Sequence, residues 1–303
     1  MIRLVIRVAR DQAELVLAEL LELTPSGVEE LEGRDGTVEY AVYGAQGELP
    51  GLPDLRAVVG EALVEISTTE VPDDWHEQWK RFHRPILIPA PALEAQAVSD
   101  GARTPVPALH VRPPWEAASE HAEGGVREIV IDPGQAFGTG AHASTRMCLE
   151  LLLELACLEP PSGPLLDIGT GSGVLAIAAA GLGFDPVLGL DNERESVLAA
   201  AENAAVNGVA IETRRFDVRS EALPWMAPRG EVRGAPVILA NLLRPLLLEL
   251  ASTIPSAPPH LIASGLLREE VDEVVAAFSQ RLGLRERERR ASGEWAAVWL
   301  SAG

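Results

Sequence analysis

The segment Leu165-Leu166-Asp167-Ile168-Gly169-Thr170-Gly171-Ser172-Gly173 constrains this chain more than any other. An apolar run of strand type passes into three glycines spaced G-x-G-x-G, and a stretch of Val, Leu, Ala and Ile with helical character follows at once. Glycines at such a turn permit positive φ and let backbone approach a ligand closely. The helix behind them presents unpaired N–H groups and a partial positive charge. A strand, turn and helix joined in this way belong to an α/β domain that binds its ligand at the C-terminal ends of a parallel sheet.

The rest of the chain after residue 128 repeats this pairing. Strands are predicted at 165–168, 187–190, 211–216, 237–240 and 261–263. Helices are predicted from 173, over 194–207, up to about 251 and over 269–281. Such alternation gives an α/β fold, a doubly wound and mostly parallel sheet with helices on both faces. Two closing strands, 285–290 and 295–300, flank the turn signal Ser292-Gly293 and predict an antiparallel edge strand.

The first 71 residues follow a different pattern. Residues 2–8 alternate as a strand, and Asp11 is placed to cap a helix carrying Leu15, Leu17, Leu20, Leu21 and Leu23. Strands at 28–31 and 37–42 join at Arg34-Asp35-Gly36, a short helix fits 54–59, and a last strand fits 62–68. The order βαββαβ is that of a ferredoxin-like α+β domain. Residues 72–127 read as a linker and extension. Trp75 and Trp79 share a helix face there, and the Ala- and Pro-rich stretch 89–108 is expected to be a mobile loop. Three parts result: 1–71, 72–127 and 128–303.

Charge narrows the partners. The net charge is −20, which argues against a broad grip on nucleic-acid phosphates. It favours a basic protein, or a small ligand held by backbone and dipoles. Residues 1–71 hold 14 acidic and 5 basic side chains, so less than a quarter of the chain carries nearly half of the excess. Cys148 and Cys157 form no C-x-x-C pair and no metal-ligand spacing, which suits buried thiols in a reducing compartment. No apolar run approaches the ~18 residues of a membrane span, and residues 1–10 lack the apolar core of a secretory leader. A cytoplasmic protein with no membrane association is expected.

Two cofactor classes use a glycine turn of this kind. Dinucleotides prefer G-x-G-x-x-G, which would need glycine at 174, where this chain has Val174. Asp167, two residues before the first glycine, would repel a pyrophosphate and attract a sulfonium and an α-ammonium. That favours S-adenosylmethionine, cradled by Gly169, Gly171 and Gly173. Asp191 closes the strand 187–190 at about the ~20-residue offset at which an acid accepts from ribose hydroxyls; the alternative is a cap for the next helix. Asp217 is placed to meet the adenine amino group or else to serve a turn. Asn241, ending the strand 237–240, can orient a nucleophilic amine or cap its helix. In Asp132-Pro133-Gly134-Gln135-Ala136-Phe137-Gly138-Thr139-Gly140-Ala141-His142-Ala143-Ser144-Thr145, Thr145 can bond the cofactor and Phe137 can shield it from water. His142 is a base or, more simply, a structural hydrogen-bonded histidine.

On these residues the chain resembles the PrmA family, methyltransferases of ribosomal protein L11. The likeness is densest at 132–145, at Asp167 to Gly173, at Gly189-Leu190-Asp191 with Glu202-Asn203-Ala204, at Ala240-Asn241-Leu242-Leu243 and at Ala263-Ser264-Gly265-Leu266-Leu267. It implies a class I methyltransferase-like fold and N-methylation of lysine side chains or the α-amine of that ribosomal protein. It also implies cofactor positions at Thr145, Gly169, Asp191 and Asn241, and substrate recognition by the acidic N-terminal domain. The family's usual G-T-H-P-T-T reads Gly140-Ala141-His142-Ala143-Ser144-Thr145 here, so one hydroxyl and the proline are missing.

Overall fold

A computed structural model describes residues 2–13, 16, 20, 28–32, 37–44, 49, 55, 63–70, 83–92, 103–119, 125–133, 142–224 and 236–303. The chain forms two compact units, Met1–Phe82 and His83–Gly303. The turn at 34–36, the Trp75 and Trp79 pair, residues 93–102 of the 89–108 loop and Phe137 lie outside the described residues.

The smaller unit is built on β1 (Ile2–Ala9), β2 (Glu29–Glu32), β3 (Thr37–Gly44) and β4 (Leu63–Glu70). They form one sheet in the order β2-β3-β1-β4, every neighbouring pair antiparallel. That is the strand order of interleaved split β-α-β units. Leu4, Ile6 and Val8 alternate onto the core face of β1 and meet Val38, Tyr40, Val16, Leu20 and Leu55. The buried Tyr40 hydroxyl donates to the Ala13 carbonyl at 2.8 Å. Asp11 lies inside a 3-10 turn, Arg10–Gln12, whose cap position is Ala9, and most of the helix expected after it lies outside the described residues. On β1, Arg7 stands opposite Glu39 on one side and Glu65 on the other. It donates to both, at 2.9 and 2.6 Å.

The larger unit opens with β5 (Ile86–Ile88), β6 (Ala108–Arg112) and β7 (Val126–Val130), a three-stranded sheet. It continues through α1 (Ala143–Leu158), β8 (Leu165–Ile168), α2 (Val174–Leu182), β9 (Val187–Asp191), α3 (Arg194–Val206), β10 (Glu212–Arg215), β11 (Val237–Asn241), α4 (Arg244–Thr253), β12 (His260–Leu267), α5 (Val271–Leu282), β13 (Arg285–Ser292) and β14 (Trp295–Ser301). The main sheet runs β10-β9-β8-β11-β12-β14-β13. Pairing is parallel from β10 to β12, and β14 is antiparallel to both its neighbours.

Side-chain alternation builds a core on each face of this sheet. Leu165, Val187, Leu239 and Ile262 join α1, α2 and the small sheet, whose Ile88, Leu109, Val111 and Ile129 share that core. Leu166, Leu188, Ile238 and Leu261 join α4 and α5 through Leu247, Leu250, Val274 and Phe278. The expected antiparallel edge is the closing hairpin, with its antiparallel strand on the inside. β14 (WAAVWLS) is buried on nearly every residue and fits between two strands. β13 (RERERRAS) is charged and exposed and takes the edge, where repeated charge blocks further pairing. Among the described residues no helix is long and apolar enough to cross a membrane.

Candidate functional site

The C-terminal ends of β8, β9, β11 and β12 open onto a cleft of about 550 Å³, within the range typical of small-molecule sites. The topology explains its place: β8 and β11 are neighbours, yet the chain leaves β8 toward β9 and returns to β11 on the other side, and such reversals leave a crevice.

The glycine turn forms one wall. Gly169, Gly171 and Gly173 have φ of +76°, +52° and +82°, the left-handed region that side chains avoid. Two of the three are also places of close approach. A Cβ on Gly169 would lie 2.5 Å from the Leu242 side chain, and one on Gly173 would lie 2.9 Å from the Ala200 Cβ on α3. The turn hangs from β9 by two bonds, Gly169 N–H and Thr170 N–H to the Leu190 carbonyl at 2.8 and 2.9 Å.

Asp167 lies beneath this turn and not on the cleft surface. It is wholly buried. Its Oδ2 accepts from the Thr170 hydroxyl at 2.7 Å and from the Ala176 N–H at 3.1 Å. The cap residue of α2 is Gly173, which has no side chain to offer, so Asp167 supplies the capping carboxylate from the preceding strand. Its Oδ1 has no hydrogen-bond partner among the described residues. Burial pushes the carboxyl up to about 7; the bonds from Thr170 and Ala176 oppose this, and the nearby Asp191 adds to it.

Asp191 lies at the cleft floor, at the end of β9. Its Oδ2 accepts from Gly171 N–H at 2.9 Å and its Oδ1 from Glu193 N–H at 3.0 Å. One carboxylate thus ties the glycine turn to the next loop and keeps lone pairs for a ligand. Across the cleft, Asn241 at the end of β11 donates from Nδ2 to the Thr145 hydroxyl at 3.1 Å. Thr145 is buried in the first turn of α1, so it fixes the amide and leaves Oδ1 to accept from a ligand. His142 caps α1, its Nδ1 accepting from Ser144 N–H at 3.3 Å and lying 2.7 Å from the Ser144 hydroxyl. Burial holds its pKa below the ordinary value. The cap is the structural one of the two roles weighed for it, and its ring also lines the cleft. Asp217 is not among the cleft-lining residues; its carboxylate accepts from Arg219 N–H at 2.9 Å and serves its own turn.

Four contributors carried no assigned role in the sequence reading. Trp295, from β14, lines the cleft and meets the His142 ring edge-on, with centroids 4.7 Å apart. Gly265, in a bulge of β12, lines the same wall. Asn203, buried on α3, accepts from Asp132 N–H and donates to the Ser172 carbonyl, both at 2.9 Å. One turn on, Asn207 pairs with both backbone groups of Val130 at 2.8 and 2.7 Å. These two amides moor the strand leading into the 132–145 segment. Their i, i+4 spacing on a helix was the signal available in sequence.

Residues 103–302 match the family described as ribosomal protein L11 methyltransferase (PrmA). A protein of that description from Heliobacterium modesticaldum is 36% identical over 231 residues, covering 75% of this chain and 63% of the relative. One from Syntrophotalea carbinolica is 38% identical over 254 residues, covering 82% and 71%. The chain therefore spans less than two thirds of the first relative's length. The crystal structure of a ribosomal protein L11 methylase from Lactobacillus delbrueckii subsp. bulgaricus superimposes with a TM-score of 0.53 at 31% identity, over 64% of this chain and 94% of that one. With a class I methyltransferase fold and matches of this extent, the chain belongs to the ribosomal protein L11 methyltransferase (PrmA) family.

Proposed function

We propose that this chain is an S-adenosylmethionine-dependent protein N-methyltransferase that modifies lysine side chains or the α-amine of ribosomal protein L11 in the cytoplasm. The observation that carries the reading is the meeting, in one cleft, of the glycine turn, the Asp191 carboxylate and the Asn241–Thr145 pair.

The residues fit that cofactor. Gly169 and Gly171 bring bare backbone to the cleft surface, Asp191 offers acceptors there for ribose hydroxyls, and the buried Asp167 beneath the turn, with its unpartnered Oδ1, suits a cationic ligand above it. Bound there, S-adenosylmethionine supplies a methyl group on a cationic sulfur. Asn241 Oδ1 accepts an N–H of the acceptor amine and turns its lone pair toward the methyl group, and Thr145 holds the amide in that orientation. Alignment of this kind can supply much of a rate enhancement. A lysine with an ordinary pKa of ~10.4 must first lose a proton, at a cost of roughly 4–5 kcal/mol near neutrality. His142 spends Nδ1 on its helix cap, so proton loss to water before transfer is the working route. The rate should then rise with pH through the alkaline range. The acidic N-terminal unit suits capture of a basic protein, by an attraction that salt weakens.

The direct test is intact-mass measurement of the host's unmodified ribosomal protein L11 after incubation with the protein and S-adenosylmethionine, with Asp191→Ala as control. Mass steps of whole methyl groups, lost in the variant, are expected. No mass change, with cofactor binding still measurable, would exclude this acceptor and leave cofactor and fold standing.

A further inference from the structure

Gly265 sits where the acceptor side of the cleft is shaped. The ladder between β11 and β12 pairs Asn241 with Ser264, and Leu242 N–H then donates to the Ser264 carbonyl at 3.0 Å. At the next residue β12 bulges: its pairing with β14 shifts between Ser264 and Leu266. Gly265 in that bulge has φ +82°. A Cβ there would lie 2.6 Å from the Leu242 carbonyl oxygen, 2.9 Å from its carbon and 3.1 Å from its nitrogen. The contact is with backbone, so no side-chain rotation relieves it. Only Leu242 and Leu243 separate Asn241 from the first residue of α4, and Pro245 stiffens that helix start. A displaced Leu242 backbone must therefore carry Asn241 with it.

We infer that Gly265 is a positioning residue for methyl transfer: by having no side chain, it lets Leu242 dock on the β12 bulge and so sets the Asn241 amide against Thr145. The inference rests on the proposed role of Asn241. Gly265 bonds to nothing in the transfer; it acts through the two-residue loop. The glycine turn is touched by the far end of the Leu242 side chain, which can swing aside, so cofactor binding is largely spared. Relieving the clash requires a shift of several tenths of an ångström, and misplacement of about 1 Å can cost ~100-fold in rate.

The test compares Gly265→Ala and Gly265→Asn with Gly208→Ala. Asn tolerates positive φ better than Ala, so Gly265→Asn keeps the clash with less backbone strain and provides a folded variant if Gly265→Ala does not fold. Gly208 also has a positive φ, +63°, but a Cβ there meets nothing within 4 Å, so it reports strain alone. With ribosomal protein L11 as acceptor, we expect kcat to fall about 10- to 100-fold in the Gly265 variants, with the Kd for S-adenosylmethionine, by calorimetry, within about threefold. Gly208→Ala should keep kcat. A Gly265 variant with kcat within threefold of the parent overturns the inference, as does a loss of cofactor affinity that accounts for the whole loss of rate. If the parent protein transfers nothing to L11, the proposed acceptor fails separately. A crystal structure of Gly265→Asn then decides the matter: an Asn241–Thr145 bond still near 3.1 Å overturns the inference, and a broken bond upholds it.

Discussion

Replacing Asp167 by Asn should alter how stability depends on pH, and the structure fixes both sign and size. The carboxyl is wholly buried, with two donors on one oxygen and none on the other. Its pKa rises from 3.8 to about 7 on folding, chiefly through burial. The folded state therefore binds this proton more tightly than the unfolded state, so the contribution of this carboxyl to stability is greatest below 3.8 and declines as pH climbs toward 7. Above 7 both states are ionised and the loss is complete. A displacement of that size corresponds to about 4 kcal/mol. The Asn side chain does not titrate, so the variant lacks this loss while sharing every other titration. Urea unfolding of both proteins at a series of pH values, at one ionic strength, isolates the effect. The stability of the parent minus that of Asp167→Asn should fall by about 3 kcal/mol between pH 5 and pH 8. The absolute offset between them is set separately, because the new amide places donors where an acceptor stood. A difference that stays level to within ~1 kcal/mol from pH 5 to 8 would refute the reasoning. It would mean that the folded carboxyl is ionised throughout and that Oδ1 has a donor. In the proposed enzyme, saturating S-adenosylmethionine should flatten the slope, since a cation in the cleft stabilises the ionised form.

Other variants separate cleft from scaffold. Asp191→Ala removes the acceptor shared by Gly171 and Glu193 at the cleft surface; calorimetry should show cofactor affinity falling by about 100-fold while the urea midpoint changes little. Asn203→Ala strands the half-buried Asp132 N–H and the buried Ser172 carbonyl. It should cost about 2–4 kcal/mol in unfolding free energy, and an unchanged midpoint would mean that water replaces the amide. His142 caps its helix through an unprotonated Nδ1 and its pKa is depressed by burial. Its contribution is thus present above the ordinary 6.5 and lost as pH falls below it. The thermal midpoint of the parent should drop more between pH 7 and pH 5.5 than that of His142→Asn. Equal drops would show that the cap survives protonation.

Much of the fold could be read from the sequence because local pattern and burial agree along most of it. The β8, β9, β11 and β12 segments are short apolar runs, each delivering alternate side chains to opposite cores, and that is what a parallel strand covered on both faces requires. The closing hairpin was harder. Ser292-Gly293 announces a turn, but a turn does not say which arm faces the sheet. Composition does: a strand reading RERERRAS cannot be buried on two sides, and one reading WAAVWLS cannot be left at an edge. The inward position of β14 was therefore present in the side chains and absent from the periodicity.

The site divides in the same way. The glycine turn, Asp191, Asn241 and Thr145 each occupy a junction between a strand or loop and a helix, where a few adjacent residues reveal both the element and its opening, so local reading reached them. Asp217 occupies such a junction too, yet its carboxylate turns back to Arg219. A strand-end acid marks the cleft only if the chain beyond it leaves the side chain free. Trp295 and Gly265 reach the cleft by a different route. They enter because the last strand inserts beside β12 and because β12 bulges to receive it, both consequences of pairing between distant segments. Asp167 joins the two cases. Its place before the glycines is a local signal of a cationic ligand, but its burial and its cap on α2 depend on how β8, α2 and the surrounding core close over it. The side chain that in the sequence pointed most strongly to a cofactor class is, in the structure, the one that holds the glycine turn to its helix.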